Sequence, residues 1–149
     1  MTKDLEDLEK QFILNEDMEH EDIKELITRI TNFCKVDNKG FVLIHNKQLR
    51  IQDKIMLVLS ARYLANKLQQ KLGKEASILE LVKAKEMSEM LKEKDTVVIA
   101  RLKELKDDKK IISQGRGIYK IASYAIKDLL NDLEGVKNER RSKETRGKN

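Results

Sequence analysis

The sequence predicts a mainly α-helical protein with a small β-hairpin wing, on three observations. Apolar residues recur at three- and four-residue spacing through several separate stretches, the 149 residues include no Pro, and two short β-prone runs flank Gly115-Arg116-Gly117. The length suits one compact domain with appendages. A hydrophobic content of 40% supports a core, while 38% charged residues, three Phe, three Tyr and no Trp make it a thin, helix-rich one.

Residues 1–33 read as an acidic amphipathic helical arm, broken near residues 15–19. Leu5, Leu8 and Phe12, then Ile23, Leu26, Ile27, Ile30 and Phe33, form its apolar stripe. Residues 34–45 change period: Val36, a turn through Gly40 and the run Phe41-Val42-Leu43-Ile44 predict a hairpin or strand connector.

Residues 46–123 form the predicted main domain. Its first helix, at 50–72, repeats Ile55, Val58, Leu59, Tyr63 and Leu68, and Gly73 closes it as a left-handed cap. Ser77 is assigned as the cap of a segment through Leu81, Val82, Met87, Met90 and Leu91 that contains a second helix at 83–92. Asp95 is the expected N-cap of a third helix, at 96–109, with Val98, Leu102 and Leu105 inward. The runs at 111–114 and 118–121 then predict a hairpin with a glycine-flanked tip. Residues 124–135 return to helix through Ile126, Leu129, Leu130 and Leu133. Residues 136–149, with six basic and two acidic side chains and little to bury, are expected to be a disordered basic tail.

Charge divides the chain. Residues 1–26 hold ten acids against three lysines, a local charge of −7, whereas residues 47–127 hold 19 basic against ten acidic groups, or +9. An acidic arm on a basic body suggests a polyanionic partner; a solvated Lys/Glu surface is the alternative source of such a composition.

Helix, helix, short turn, helix and hairpin is the order of a winged helix-turn-helix, and about 80 residues resemble that family. Residues 82–91 resemble the first helix of the motif, Thr96-Val97-Val98-Ile99-Ala100-Arg101-Leu102-Lys103-Glu104-Leu105 the recognition helix, and residues 110–121 the wing. A looser resemblance is to small archaeal-type transcriptional regulators. It implies a double-stranded DNA-binding regulator or chromosome-associated protein, with a winged-helix protein-interaction module as the alternative.

On the recognition helix, the face opposite Val98, Leu102 and Leu105 carries Thr96, Ala100, Lys103 and Asp107, with Glu104 beside them and Val97, Ile99 and Arg101 on the flanks. Arg101 and Lys103 are candidates for guanine, and Thr96, Val97 and Ala100 for thymine methyls. A structural ion pair is the alternative role for Arg101. Lys83, Lys85, Lys92 and Lys94 are candidate phosphate contacts, Arg116 is placed to reach a minor groove or phosphate, and the tail adds sequence-independent attraction.

No enzyme is expected, because the chain has no phosphate-cradling glycine loop and no nucleophile with a plausible base beside it. Neither a metal nor another cofactor is expected either, since the lone Cys34 and the separated His20 and His45 lack ligand spacing. One cysteine, no leader-like segment and no long apolar run point to a cytoplasmic protein with no membrane segment. The arm and the 124–135 helix are assigned to a homodimer interface, the alternative being that the arm folds back on its own domain.

Overall fold

The structure is a computed structural model that describes the backbone of residues 20–147, with side chains over residues 22–135, together with Leu5 and Leu8. Among these residues, five helices and two small antiparallel sheets make an α+β fold. Helix α1 (His20–Ile30) turns into strands β1 (Cys34–Val36) and β2 (Val42–Ile44), followed by helix α2 (Ile51–Lys71). Strand β3 (Val82–Lys83), helices α3 (Ala84–Leu91) and α4 (Asp95–Asp107), strands β4 (Ile111–Ser113) and β5 (Ile118–Ile121) and helix α5 (Tyr124–Gly147) complete the chain.

Helix α2 is the spine. Ile55, Leu57, Val58 and Leu59 are fully buried because α1, α4, α5 and strands of both sheets surround it, so its apolar residues form a run rather than a stripe. Its last turns leave the core, and Leu68, expected to continue the apolar repeat, is exposed. Gly73 does follow it with a left-handed φ of +70°. The segment after it is tied back by polar side chains of the same helix. Asn66 Nδ2 donates to the Ile78 carbonyl at 2.8 Å, and Gln69 Oε1 accepts from the Ile78 N–H at 3.0 Å. Ser77, expected to cap a helix, instead accepts from Gln69 Nε2 at 3.0 Å.

The predicted helix start at residue 83 is corrected to Ala84, because Val82 and Lys83 pair with Tyr119 and Ile118 of β5. The three-stranded sheet therefore has the order β3-β5-β4. Asp95 is the first residue of α4 rather than its cap: Lys94 occupies the cap in extended conformation with no side-chain bond, its carbonyl accepting from the Val97 and Val98 N–H groups. There the Asp95 carboxylate complements the positive end of the helix dipole.

Folding-back describes the 20–33 part of the arm. Ile23, Leu26 and Ile30 of α1 are buried on the same chain's α2 and α5, each burial contributing roughly 1.5–3 kcal/mol. Arg29 pins the contact, its Nε donating to Glu134 Oε1 at 2.8 Å and its Nη2 to Asn131 Oδ1 at 2.7 Å. Ile126, Leu129, Leu130 and Leu133 are buried in the same core. Over these residues, the apolar faces assigned to a homodimer interface pack on their own chain. Phe12 and the break at 15–19 lie outside the described residues.

Helix α5 extends its backbone into the stretch expected to be a basic tail. The backbone of α5 runs unbroken to Gly147, consistent with a Pro-free stretch rich in Lys, Arg and Glu, all strong helix formers. No helix among the described residues is long and apolar enough to cross a membrane.

Candidate nucleic-acid interface

Helices α3 and α4 meet through a tight turn at residues 92–94. Lys92 takes the left-handed conformation at φ 56°, its N–H and that of Glu93 both satisfied by the Ser88 carbonyl. Met87 and Met90 of α3 and Val98, Leu102 and Leu105 of α4 are buried, which sets the rotation of both helices. The rotation of α4 matches the periodicity: Thr96, Ala100, Lys103, Glu104 and Asp107 face outward. Val97 is half-buried on the flank, whereas Ile99, also expected on a flank, is 52% exposed.

The loop between β4 and β5 is shaped by its glycines. Gly115 and Gly117 adopt φ of +109° and +71°, and the Gln114 N–H donates to the Ile118 carbonyl at 2.9 Å to close it. The Gly117 carbonyl accepts from the Ala84 N–H at 2.8 Å, which fastens the loop to the start of α3. Arg116 is consequently held at the mouth of an open cleft of about 340 Å³, lined also by Lys83, Lys85, Ser88, Asp95 and Ile99. Three cations against one carboxylate give the cleft a local charge of +2.

Of the ten candidate residues, the structure brings Lys83, Lys85 and Arg116 to this cleft, while Thr96, Ala100 and Lys103 stand on the exposed side of α4. Lys92 and Lys94 are exposed at the turn, outside the cleft lining. Arg101 does not face outward as a free base reader, because its Nη1 donates to Glu104 Oε1 at 2.6 Å, a half-exposed pair three residues apart. Such a pair contributes about 0.5 kcal/mol and lowers the positive charge available on that flank. Ser88 and Asp95 escaped the sequence reading as site residues, and Ile99 was placed only on a flank, because the packing of α3 against α4 is what joins them to the loop.

Among the described residues no group of three His, Cys, Asp or Glu side chains is placed to hold a metal ion. Cys34 is buried under α1, and burial pushes its thiol up to about 12, so it stays protonated and unreactive near neutral pH. Compared with protein-family models, with curated proteins and with solved structures, the chain gives no match.

Proposed function

We propose that this chain is a winged helix-turn-helix protein that binds double-stranded DNA, as a transcriptional regulator or chromosome-associated protein. The element order α2-β3-α3-α4-β4-β5, the three-residue turn between α3 and α4 and the β3-β5-β4 sheet support the fold part of this reading. The observation that carries the functional part is the convergence of Lys83, Lys85 and Arg116 beside the exposed face of α4.

A helix of 13 residues is about 20 Å long and 10–12 Å across, which suits a major groove about 12 Å wide. With α4 in the groove, the three cations meet the flanking phosphates. Thr96, Ile99 and Ala100 offer methyl contacts, Lys103 is an outward base on α4 near them, and the face has no Asn or Gln for adenine. Affinity then comes mostly from the backbone, with modest discrimination among sequences. The second reading, a protein-interaction module, is favoured by a different feature: Ile99 is a large exposed aliphatic group, and Glu104 and Asp107 also stand exposed on α4.

Titration of full-length protein with random duplex and the matching single strand, over a range of salt, tests the proposal. Three phosphate contacts from the cleft contribute about −2.7 to the slope of log affinity against log salt, at about −0.9 per contact. The Lys83→Ala/Lys85→Ala/Arg116→Ala variant should lose that contribution and keep its melting temperature. Binding that ignores salt, or that survives the triple substitution unchanged, overturns the DNA reading and leaves the interaction module.

A further inference from the structure

Two apolar surfaces of this chain are exposed and carry complementary charge. The first is a groove of about 490 Å³ where the end of α1 and strand β1 meet the last turns of α2. Ile27, Ile30, Leu64, Leu68 and Leu72 line it; Leu68 and Leu72 are 40% and 59% exposed, and Lys35 and Lys74 complete the lining with positive charge. The second is formed by Leu5 and Leu8, three residues apart on helical backbone and 67% and 57% exposed. Residues 1–19, which carry them, hold seven acids against two lysines.

We propose that residues 1–19 dock into this groove on their own chain. The reading is independent of DNA binding. The segment leads directly into α1 at His20, and α1 ends at the groove with Ile27 and Ile30. Eleven residues lie between Leu8 and His20, a tether of up to about 40 Å when extended, and the 11 residues of α1 span about 16 Å, so Leu5 and Leu8 can reach the groove end of α1. There they meet exposed leucines, and the acids of the segment meet Lys35 and Lys74. The short tether holds the segment at an effective concentration on the order of millimolar, which favours the chain's own segment over that of a second copy.

Disulfide trapping in the full-length chain tests the docking. Leu8→Cys with Leu68→Cys alters two exposed positions, and peptide mapping separates their crosslink from any product with Cys34. The expected result is a disulfide within one chain, forming at least tenfold faster than between Leu8→Cys and a Lys106→Cys control on α4, and slowed by high salt. A crosslink between two chains assigns the groove to a second copy and overturns the proposal; a rate equal to the control overturns docking altogether. In the otherwise unaltered chain, Leu5→Glu with Leu8→Glu should speed amide exchange over residues 64–72 and alkylation of Cys34 severalfold. Unchanged exchange and alkylation in that variant also count against the proposal.

Discussion

The two hairpins of this protein share an antiparallel pair and a positive-φ glycine turn, yet their tips are in opposite situations. The β1–β2 tip is clamped. Its Gly40, at φ +92°, is buried, and the Gly40 carbonyl accepts from Arg62 Nη1 at 3.0 Å. The Arg62 guanidinium also donates to the Leu79 carbonyl at 2.6 Å, the Leu81 carbonyl at 3.2 Å and Glu86 Oε1 at 2.6 Å. The β4–β5 tip is open: a Cβ on Gly115 or Gly117 would meet nothing within 4 Å, and Arg116 projects outward with no ion pair among the described residues. One arginine closes a structural joint from inside, and the other is left exposed at an open tip. The type of turn does not distinguish these uses; the location of the guanidinium does.

The largest effect expected from this contrast is at Arg62. Arg62→Met keeps much of the stem's volume but leaves three backbone carbonyls and Glu86 without their donor. Removing one side of a buried pair costs about 3–5 kcal/mol, and the lower end applies here because the Glu86 side chain is 39% exposed and regains water. Chemical denaturation should show a loss of about 3 kcal/mol. Arg62→Lys should recover little, since a single ammonium cannot reproduce the fork. A loss under 1 kcal/mol would remove the joint from the account of this hairpin.

Next come the glycines. A left-handed conformation costs a non-glycine residue about 1–2 kcal/mol, which Gly40→Ala and Gly117→Ala share. Gly40→Ala has an additional cost, because its Cβ would sit 3.2 Å from Arg62 Cζ, and four hydrogen bonds hold that group in place. Thermal melts should therefore rank Gly40→Ala clearly below Gly117→Ala. Equal melting temperatures would mean that Arg62 yields freely and that the clamp is soft.

A smaller, pH-dependent effect is expected at Asp37, which shapes the clamped turn through its Oδ1. That oxygen accepts from the Lys39 N–H at 2.8 Å and the Phe41 N–H at 2.9 Å. These backbone donors, Phe41 first, hold the carboxyl below its ordinary value of 3.8. A depressed folded-state value means that the stabilisation is present above about pH 4 and lost as pH falls through the lower folded value. Asp37→Ala should accordingly melt below the unaltered protein at pH 7, and the gap should narrow towards pH 3. A gap that widens in acid would contradict the assignment.

Much of the fold is legible in the sequence because α1, α4 and the start of α5 each bury a face whose residues recur with helical period, and α2 shows itself as a continuous apolar run. The hairpin around Gly40 is legible through its turn chemistry. Strand β3 is not, since Val82 and Lys83 are too few to show a period and become a strand only by pairing with β5. Arg62 is hidden for a related reason, as nothing local marks a charged residue in an apolar run as the hub of contacts 17 to 24 residues away. The covering of Ile126, Leu129, Leu130 and Leu133 by their own chain is equally invisible, because a periodic stripe shows that something packs there without saying what. At the candidate interface, Lys83, Lys85 and Arg116 are each noticeable in isolation. Their meeting depends on the bond from Ala84 to Gly117, a tertiary contact.

The smallest expected effect on folding, and the one that most sharpens the contrast, is that of Arg116→Ala. The side chain stands at an open tip, its backbone geometry is set by Gly115 and Gly117, and the closing bonds of the loop run from Gln114 to Ile118 and from Ala84 to Gly117. None of these involves the guanidinium, so truncation should leave stability within about 0.5 kcal/mol, as for most surface substitutions. Duplex affinity should nevertheless fall, and the salt slope should flatten by about 0.9 if the guanidinium neutralises one phosphate. Arg116→Lys separates two modes of contact. A phosphate accepts a point charge from lysine, whereas insertion into a narrow minor groove favours the planar, weakly hydrated guanidinium. Full rescue by lysine would therefore place the tip on the backbone, and failure of rescue would place it in the groove. If Arg116→Ala instead lowered the melting temperature as much as Gly40→Ala, the open tip would be a joint like the clamped one, and the functional contrast between the two hairpins would fail.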